Sequence, residues 1–205
     1  MKKVAFLFSG RGTLITAVQD AVADACEPAQ LSLVLTNNRD FEAGKNPAFS
    51  GISVIKVNHQ DYEDRDSFEK KIATYLNEIN VDLVILGGFR RIFSSSFVHL
   101  FGHKTMNTHP SILPAFPGDK AQLRAITQGV KISGATLHFI NDEVDAGPII
   151  DQEPVRIANG MTENALKEAI LLAEKKMIYR AVRAFIEGRI TLDGDKVIYE
   201  EDIYV

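Results

Sequence analysis

An amide and an imidazole lie two positions apart in the stretch MNTHPSILP at residues 106–114. If residues 104–108 form a strand, Asn107 and His109 face the same side of it, because side chains alternate along a strand. A carboxamide can stabilise negative charge that develops on an oxygen, and an imidazole can move a proton near neutral pH. The pattern also suits an ordinary strand end followed by a turn, so the rest of the chain must decide between the two interpretations.

His109 is the strongest acid–base candidate among the five histidines. His59, His99 and His103 fall in loops or beside helices, where a solvated surface side chain is the expected role. His138 falls inside a strand pattern and is expected to be packed. His109 alone stands at the carboxyl end of a predicted strand, beside a second polar group and a rigid proline loop.

The best carboxylate partner for His109 lies in the acidic turn NDEVDAGP at residues 141–148, where Asp142, Glu143 and Asp145 are available. Asp145 precedes the sequence AGP, a tight corner that constrains its orientation most. A carboxylate beside an imidazole raises the imidazole pKa and fixes its tautomer. These residues therefore predict a cluster of Asn107, His109 and Asp145.

A covalent nucleophile has little support in the sequence. No serine lies in a recognisable nucleophile elbow, and neither does Cys26, the single cysteine. A trio of histidine, aspartate and asparagine without a nucleophile suits the direct transfer of an activated group to an amine or to water.

The composition excludes several classes of protein. The chain has 205 residues, of which 45% are hydrophobic, and a formal charge of −4, so we expect one sizeable core and no nucleic-acid partner. One cysteine excludes an intramolecular disulfide and a multi-cysteine zinc site, and we predict no metal. The apolar run after Lys2 and Lys3 is too short for a signal peptide, and no run could span a membrane. These features predict a cytoplasmic protein that acts on small molecules without a membrane partner.

The first half of the chain alternates apolar strands with amphipathic helices, without linkers or repeats. Its strands and helices follow the order βαββαβαβ, which favours a doubly wound, mostly parallel, Rossmann-like sheet. The predicted strands are residues 3–8, 31–36, 52–57, 81–86 and 104–108. The predicted helices are residues 14–26, 61–80 and 94–101.

The second half predicts a different arrangement. After a helix at residues 119–128, strands at 131–140 and 149–157 are expected to pair as an antiparallel hairpin, followed by a long C-terminal helix at 162–187. A tail hairpin is expected to turn at Asp193 and Gly194. We predict a single domain, with an N-terminal half for the acceptor (1–103), a catalytic half (104–188) and a tail (189–205).

Two glycine-containing turns follow predicted strands. The turn SGRGT at residues 9–13 precedes a helix, whose free N–H groups and dipole suit a phosphate, although a simple tight turn explains it equally well. It lacks the third glycine of a dinucleotide motif and the lysine of a phosphate loop, so a nucleotide cofactor is not expected. The run GGFRR at residues 87–91 ends a parallel strand, at the edge where ligands bind in open α/β sheets.

Together these motifs resemble those of the folate-dependent formyltransferases. The run MNTHPSILPAFPG at residues 106–118 is similar to the signature of that family. Residues 9–13, 87–92 and 142–148 also fall where the family has motifs, in the same order. The resemblance covers essentially the whole chain and is nearest to the branch that formylates phosphoribosylglycinamide in purine synthesis.

The resemblance implies a mechanism. The acceptor amine attacks the formyl carbon of 10-formyltetrahydrofolate, and a tetrahedral oxyanion forms. Asn107 and protonated His109 stabilise that oxygen, while Asp145 holds His109 and helps to relay a proton from the amine to the departing folate nitrogen. It also implies a cis bond between Leu113 and Pro114.

The resemblance further implies two binding surfaces. Folate is expected to contact Arg91, Ile92, Phe93, Ile140, Asn141, Val144 and Asp145. The acceptor is expected to contact Gly10, Arg11, Gly12, Thr13, Leu14, Pro110 and Glu174. Backbone N–H groups of Gly12 and Thr13 would receive its phosphate, and Glu174 would contact its sugar.

Two departures from the family pattern leave the acceptor open. Arg11 and Leu14 stand where the purine branch usually has asparagines, and residues 119–122 replace a segment that usually resembles LHTH. The acceptor could therefore be another amine, such as an amino sugar or a hydroxylated ornithine. Hydrolysis is another alternative, because residues 129–136 also resemble formyltetrahydrofolate deformylases. Those enzymes carry an extra N-terminal domain, whereas this chain begins at the first strand.

A folate-binding protein without activity is the least favoured alternative, since all three catalytic residue types are present. Both a monomer and a homodimer remain open.

Overall fold

A seven-stranded sheet forms the centre of the molecule in the computed structural model, which describes residues 1–200. Its spatial order is β3-β2-β1-β4-β5-β6-β7. The first five strands run parallel, and β6 is antiparallel to both of its neighbours. The strands are β1 (Lys2–Phe8), β2 (Ala29–Thr36), β3 (Ile55–Lys56), β4 (Leu83–Leu86), β5 (Thr105–His109), β6 (Ile132–Phe139) and β7 (Ile149–Arg156). The predicted fold class, a mostly parallel sheet with an antiparallel C-terminal strand pair, is confirmed.

Helices cover both faces of this sheet. They are α1 (Ile15–Asp24), α2 (Arg65–Glu78), α3 (Ser95–Phe101), α4 (Ala121–Thr127) and the long α5 (Glu163–Ile186). Alternation along β1 explains the two cores: Phe6 and Phe8 pack with α1 and α5, while Ala5 and Leu7 pack with α2 and α3. Strands buried on both faces read as continuous apolar runs, as the sequence of β1 does.

The third strand is shorter than predicted. Only Ile55 and Lys56 pair, opposite Leu35 and Thr36 at the end of β2, instead of the whole run 52–57. This strand lies at the edge of the sheet and pairs only with the last residues of β2, so the apolar pattern before it packs without forming a ladder.

The second helix also begins later than predicted. Asp64 caps it, because its carboxylate accepts a hydrogen bond from the Ser67 N–H at 2.7 Å. The residues before the cap, His59–Asp61, form a separate 3₁₀ turn. The predicted helix at 61–80 therefore joined two elements that the cap separates.

The tail forms its own two-stranded sheet, from β8 (Ile190–Asp193) and β9 (Lys196–Tyr199). The predicted turn was displaced by one residue, since Asp193 pairs with Lys196 and the two turn residues are Gly194 and Asp195. Gly194 adopts a φ of 58°, which favours glycine at the first turn position. Residues 201–205 of the predicted tail lie outside the described residues.

No helix within residues 1–200 combines the length and apolarity needed to cross a membrane.

Candidate active site

The carboxyl end of β5 carries Asn107 and His109, and the neighbouring strand supplies a third polar side chain. Asn107 lies opposite His138 in the antiparallel β5–β6 register, so the two side chains share a face. The Asn107 amide nitrogen is 3.3 Å from His138 Nε2, and His138 Nδ1 donates to the Phe139 carbonyl at 2.8 Å. With its proton on Nδ1, His138 accepts from Asn107 through Nε2, which orients the carboxamide.

His138 is buried, as expected, with 2% of its surface exposed. Burial lowers the pKa of this imidazole, and the neighbouring His109 lowers it further, against opposing effects of the Phe139 carbonyl and Asp145. A neutral ring keeps the lone pair that accepts from Asn107. Sequence reasoning missed this role because it depends on the register between β5 and β6, which no local pattern indicates.

His109 lies between two acceptors and is 5% exposed. Its Nδ1 is 3.1 Å from the Asp145 carboxylate, and its Nε2 donates to the Phe116 carbonyl at 2.8 Å. When both ring nitrogens carry protons, each one has an acceptor in place. The structure thus brings together the imidazole and the carboxylate that the sequence paired.

Asp145 is held in a fixed orientation by contacts from three sides. Its carboxylate accepts the Gly118 N–H at 2.7 Å, contacts His109, and lies 3.9 Å from His138 Nε2. Burial raises the pKa of this carboxyl, but hydrogen bonds from His109 and Gly118 and the two nearby imidazoles lower it more, so the net pKa is depressed. Asp145 is therefore ionised at neutral pH.

The turn that carries Asp145 requires a glycine two residues later. A Cβ on Gly147 would lie 1.8 Å from the Phe139 carbonyl oxygen, so the chain passes directly against the end of β6. Asn141 ties the turn together, because its side chain donates to the Ala146 carbonyl and accepts the Glu143 N–H. Asp145 itself has a φ of 55° and projects from this tight corner.

Replacing Gly147 with alanine should displace the turn and lower the free energy of unfolding by about 1–3 kcal/mol, because the added methyl group collides with backbone. Urea unfolding measures the loss. Gly44→Ala is the matched control, since a Cβ there meets nothing within 4 Å and the glycine is exposed. Equal stability of the two variants would contradict this account of the turn.

Buried polar contacts position the loop after β5. Thr136 Oγ1 donates to the Ser111 carbonyl at 2.7 Å and accepts the Leu113 N–H at 3.0 Å. Gln152 donates to the Leu113 carbonyl at 2.8 Å. The Leu113–Pro114 bond is cis, as the family resemblance implied. Thr136 and Gln152 escaped sequence reasoning because they act through a chain segment far away in sequence.

The first glycine turn packs tightly just before α1, with Gly12 buried and Arg11 exposed. Gly12 has a φ of 65°, and a Cβ on it would lie 2.5 Å from the Phe49 ring. Asn46 donates to the Arg11 carbonyl at 3.2 Å and fastens this turn to the 37–51 loop. Leu14 precedes the helix without a side-chain cap, and its side chain is buried in the core. Leu14 could contact a ligand only through its backbone.

The segment after β4 and the turn after β6 place two apolar side chains in solvent. Ile92 is 64% exposed and Val144 is 51% exposed. Phe93, in contrast, is buried in a column of rings, 5.4 Å from Phe89 and 3.9 Å from Phe97 between centroids. Ile140 packs partly buried against the same core.

Glu174 lies on α5, is partly buried, and is close enough to Thr108 and His109 for both to affect its carboxyl. Burial raises the pKa of its carboxyl to about 7, against opposing effects of the Thr108 hydroxyl and His109. Near neutral pH this group is therefore divided between its acid and its carboxylate, which makes it both a donor and an acceptor towards a ligand.

Replacing Glu174 with glutamine should make stability less dependent on pH. The folded chain keeps a proton that the unfolded chain loses between the usual pKa of 4.5 and about 7, so the free energy of unfolding of the wild type falls as pH rises through this window. The variant lacks this loss. Its free energy of unfolding, relative to that of the wild type, should therefore rise by on the order of 2 kcal/mol between about pH 5 and pH 8. Urea unfolding at several pH values measures it.

Glu168→Gln is the matched control, as an exposed carboxyl on the same helix, and its difference from the wild type should stay flat with pH. A flat difference for Glu174→Gln as well would contradict the raised pKa.

Among the described residues, no group of three histidine, cysteine, aspartate or glutamate side chains is placed to hold a metal ion.

Comparisons with known proteins agree on the family. The Formyl transferase family model matches residues 2–182. The chain is 36% identical to the human trifunctional purine biosynthetic protein adenosine-3 over 190 residues. These 190 residues cover 93% of this chain and 19% of the human protein. The chain thus spans only a small part of its trifunctional relatives.

A shorter relative and a solved structure are similar over nearly their full lengths. The phosphoribosylglycinamide formyltransferase of Mycobacterium tuberculosis is 34% identical over 192 residues, covering 94% of this chain and 88% of that protein. The crystal structure of glycinamide ribonucleotide transformylase 1 from Symbiobacterium toebii superposes with a TM-score of 0.91 at 33% identity, covering 98% of this chain and 95% of that one. With its sequence matched along most of its length and its fold shared, the chain belongs to the formyl transferase family.

Proposed function

We propose that this protein transfers the formyl group of 10-formyltetrahydrofolate to the primary amine of phosphoribosylglycinamide, in purine synthesis. The observation that carries the proposal is the paired placement of His109 and ionised Asp145 beside Asn107 at the end of β5. Relatives that bear this activity in their names support the choice of acceptor.

Within this proposal, the folate supplies a formyl carbon that an amine can attack directly. The Asn107 amide and the His109 ring donate hydrogen bonds to the formyl oxygen as it gains negative charge. Asp145 orients the imidazole, and accepts or relays the proton that the attacking amine loses. The departing folate nitrogen receives a proton in turn, so the charges balance without a covalent enzyme intermediate.

The proposed folate surface consists of exposed apolar side chains near the turn that carries Asp145. Exposed Ile92 and Val144 suit the faces of a pterin ring, and Arg91 and Ile140 flank them. Two of the expected contacts have an additional structural role. Phe93 packs beneath the surface in the ring column, and Asn141 braces the turn of Asp145. Their backbone atoms remain the groups through which we propose contact with folate.

The proposed acceptor surface begins at the N-terminus of α1. Backbone N–H groups of Gly10, Gly12 and Thr13 suit a phosphate there, and the exposed guanidinium of Arg11 adds positive charge. The route to His109 passes Pro110 and Glu174. Because Glu174 is both donor and acceptor near neutral pH, it suits the hydroxyls of a sugar.

One assay tests the proposal. Purified protein with 10-formyltetrahydrofolate should release tetrahydrofolate only after phosphoribosylglycinamide is added. The same reaction is run without an amine and with an amino sugar or hydroxylated ornithine in its place. Release without an amine would identify a deformylase, and turnover only with another amine would overturn the proposed acceptor.

A further inference from the structure

The loop after β5 returns to the catalytic cluster through its backbone. The Phe116 carbonyl accepts a hydrogen bond from His109 Nε2 at 2.8 Å. Two residues later, the Gly118 N–H donates to the Asp145 carboxylate at 2.7 Å. Residues 116–118, called here the bracing loop, therefore contact both the imidazole and the carboxylate of the site.

The bracing loop has a backbone conformation that needs support from other segments. Phe116 has a φ of 56° and Gly118 a φ of 75°, and such a φ is unfavourable for a residue with a large side chain. Pro117 and Gly118 are exposed to solvent, so packing holds only part of the loop. Just before it, the Ser111 hydroxyl donates to the Ala115 carbonyl. Support for the rest of the loop must come from its other side.

Arg124 on α4 supplies that support. Its Nη2 donates a hydrogen bond to the Pro117 carbonyl at 2.8 Å. The centre of its guanidinium lies 5.6 Å from the centroid of the Phe116 ring, a distance at which a cation is attracted to an aromatic face. Within the part of the chain that the structure describes, Arg124 forms no ion pair, so its charged group contacts the loop rather than a carboxylate.

The helix α4 gives Arg124 a fixed base. Ala121 and Ala125 on this helix are buried in the protein, with 1% and 0% of their surfaces exposed. A cavity of about 420 Å³ lies beside the guanidinium, and residues 115–117 line it together with Arg124 and Gln128. Because the loop and the helix leave this space open between them, the long side chain of Arg124 is needed to span from one to the other.

We propose that Arg124 is a positioning residue for formyl transfer, which acts on His109 and Asp145 through the bracing loop. This inference rests on the proposed function. Without the guanidinium, the loop leaves its strained conformation. The Gly118 N–H then moves away from Asp145, and His109 loses the carbonyl that orients its ring in the resting site.

The loss of Arg124 should lower kcat more than it raises KM. The proposed contacts with folate and with the acceptor include no residue of the bracing loop, so substrate binding should persist. Misplacement of a reacting group by a fraction of an ångström to about 1 Å slows the chemical step by roughly ten- to a hundredfold. The effect therefore falls on the reaction and not on recognition.

Steady-state kinetics of three variants test the inference. Arg124→Met removes the donor and the charge but keeps a long side chain, and its kcat should fall roughly ten- to a hundredfold with KM within about twofold. Arg124→Lys keeps a cationic donor for Pro117 and should stay within about threefold of the wild-type kcat. Lys71→Met is the matched control, because Lys71 also lies over an aromatic ring, 4.6 Å from the centroid of Tyr75, but on α2. Its kcat should equal that of the wild type.

Nuclear magnetic resonance of the Gly118 amide gives a readout that needs no turnover. A hydrogen bond to a carboxylate moves this amide proton downfield and slows its exchange with water. Both effects should be lost in Arg124→Met and kept in Arg124→Lys and Lys71→Met. Thermal unfolding establishes that the variants fold, and Arg124→Gln replaces the methionine variant, with the same expectations, if that variant does not.

Wild-type kcat in a folded Arg124→Met variant would overturn the inference, as would an unchanged Gly118 amide. A loss that appears in KM rather than kcat would overturn it too, and so would an Arg124→Lys variant as impaired as Arg124→Met. Failure of the proposed function is distinct from these outcomes. No formyl transfer to phosphoribosylglycinamide by the wild type would overturn the reaction, while the Gly118 amide would still report whether Arg124 holds the loop.

Discussion

His109→Ala should lower kcat for formyl transfer by about three orders of magnitude, because it removes an oxyanion donor and the imidazole through which Asp145 acts on the reacting groups. In the structure the ring connects the Asp145 carboxylate to the Phe116 carbonyl. The methyl group of alanine can replace neither contact. Binding of folate and acceptor through distant surfaces should persist, so KM should change much less than kcat.

Steady-state kinetics with the wild type and variant at saturating substrates measure this effect. His103→Ala is the matched control, because His103 is an exposed imidazole in the 3₁₀ turn before β5. Its activity should equal that of the wild type. Circular dichroism and thermal unfolding establish that both variants fold. A folded His109→Ala variant with wild-type turnover would refute the assigned role.

Asp145→Asn should lower kcat by about two to three orders of magnitude while leaving the turn intact. The side-chain oxygen of asparagine can still accept the Gly118 N–H, so the contact with the loop is kept. The negative charge is lost, however, and with it the charged acceptor that fixes the orientation of His109. The variant thus isolates the effect of charge from the effect of shape.

Asp142→Asn supplies the comparison, as an exposed carboxylate in the same turn whose loss should leave kcat unchanged. Because the pKa of Asp145 is depressed, the wild type should keep this ionised group through weakly acidic pH. A pH profile of kcat should therefore show no loss from Asp145 near neutrality. Wild-type turnover in Asp145→Asn would contradict the proposed role of the carboxylate.

Local sequence patterns predicted the parts of the site that depend on local structure. Alternation along one strand was sufficient to predict that Asn107 and His109 share a face. The tight corner after Asp145 correctly indicated the carboxylate that meets His109, and the structure adds its reason in the close passage of Gly147. The order of strands and helices was sufficient for the fold class.

Contacts set by distant pairing could not be predicted in this way. His138 orients Asn107 only because β6 runs antiparallel to β5 in one register, and Glu174 reaches the site only because α5 packs across the sheet. No local pattern contains either fact. The burial of Leu14 is another such fact: its position in a motif suggested ligand contact, and only the packing of α1 shows that its side chain fills the core.

His109 Nε2 donates a hydrogen bond to the Phe116 carbonyl in the resting site, and in the proposed transfer the formyl oxygen takes the place of that carbonyl. A bound formyl group would replace one neutral oxygen acceptor with another, so the exchange alone contributes little to binding. Once that oxygen carries negative charge, it becomes a far stronger acceptor than a peptide carbonyl. Because the resting acceptor is itself an amide oxygen, the hydrogen bond from His109 stabilises the bound substrate only slightly. The same hydrogen bond stabilises the charged transition state much more.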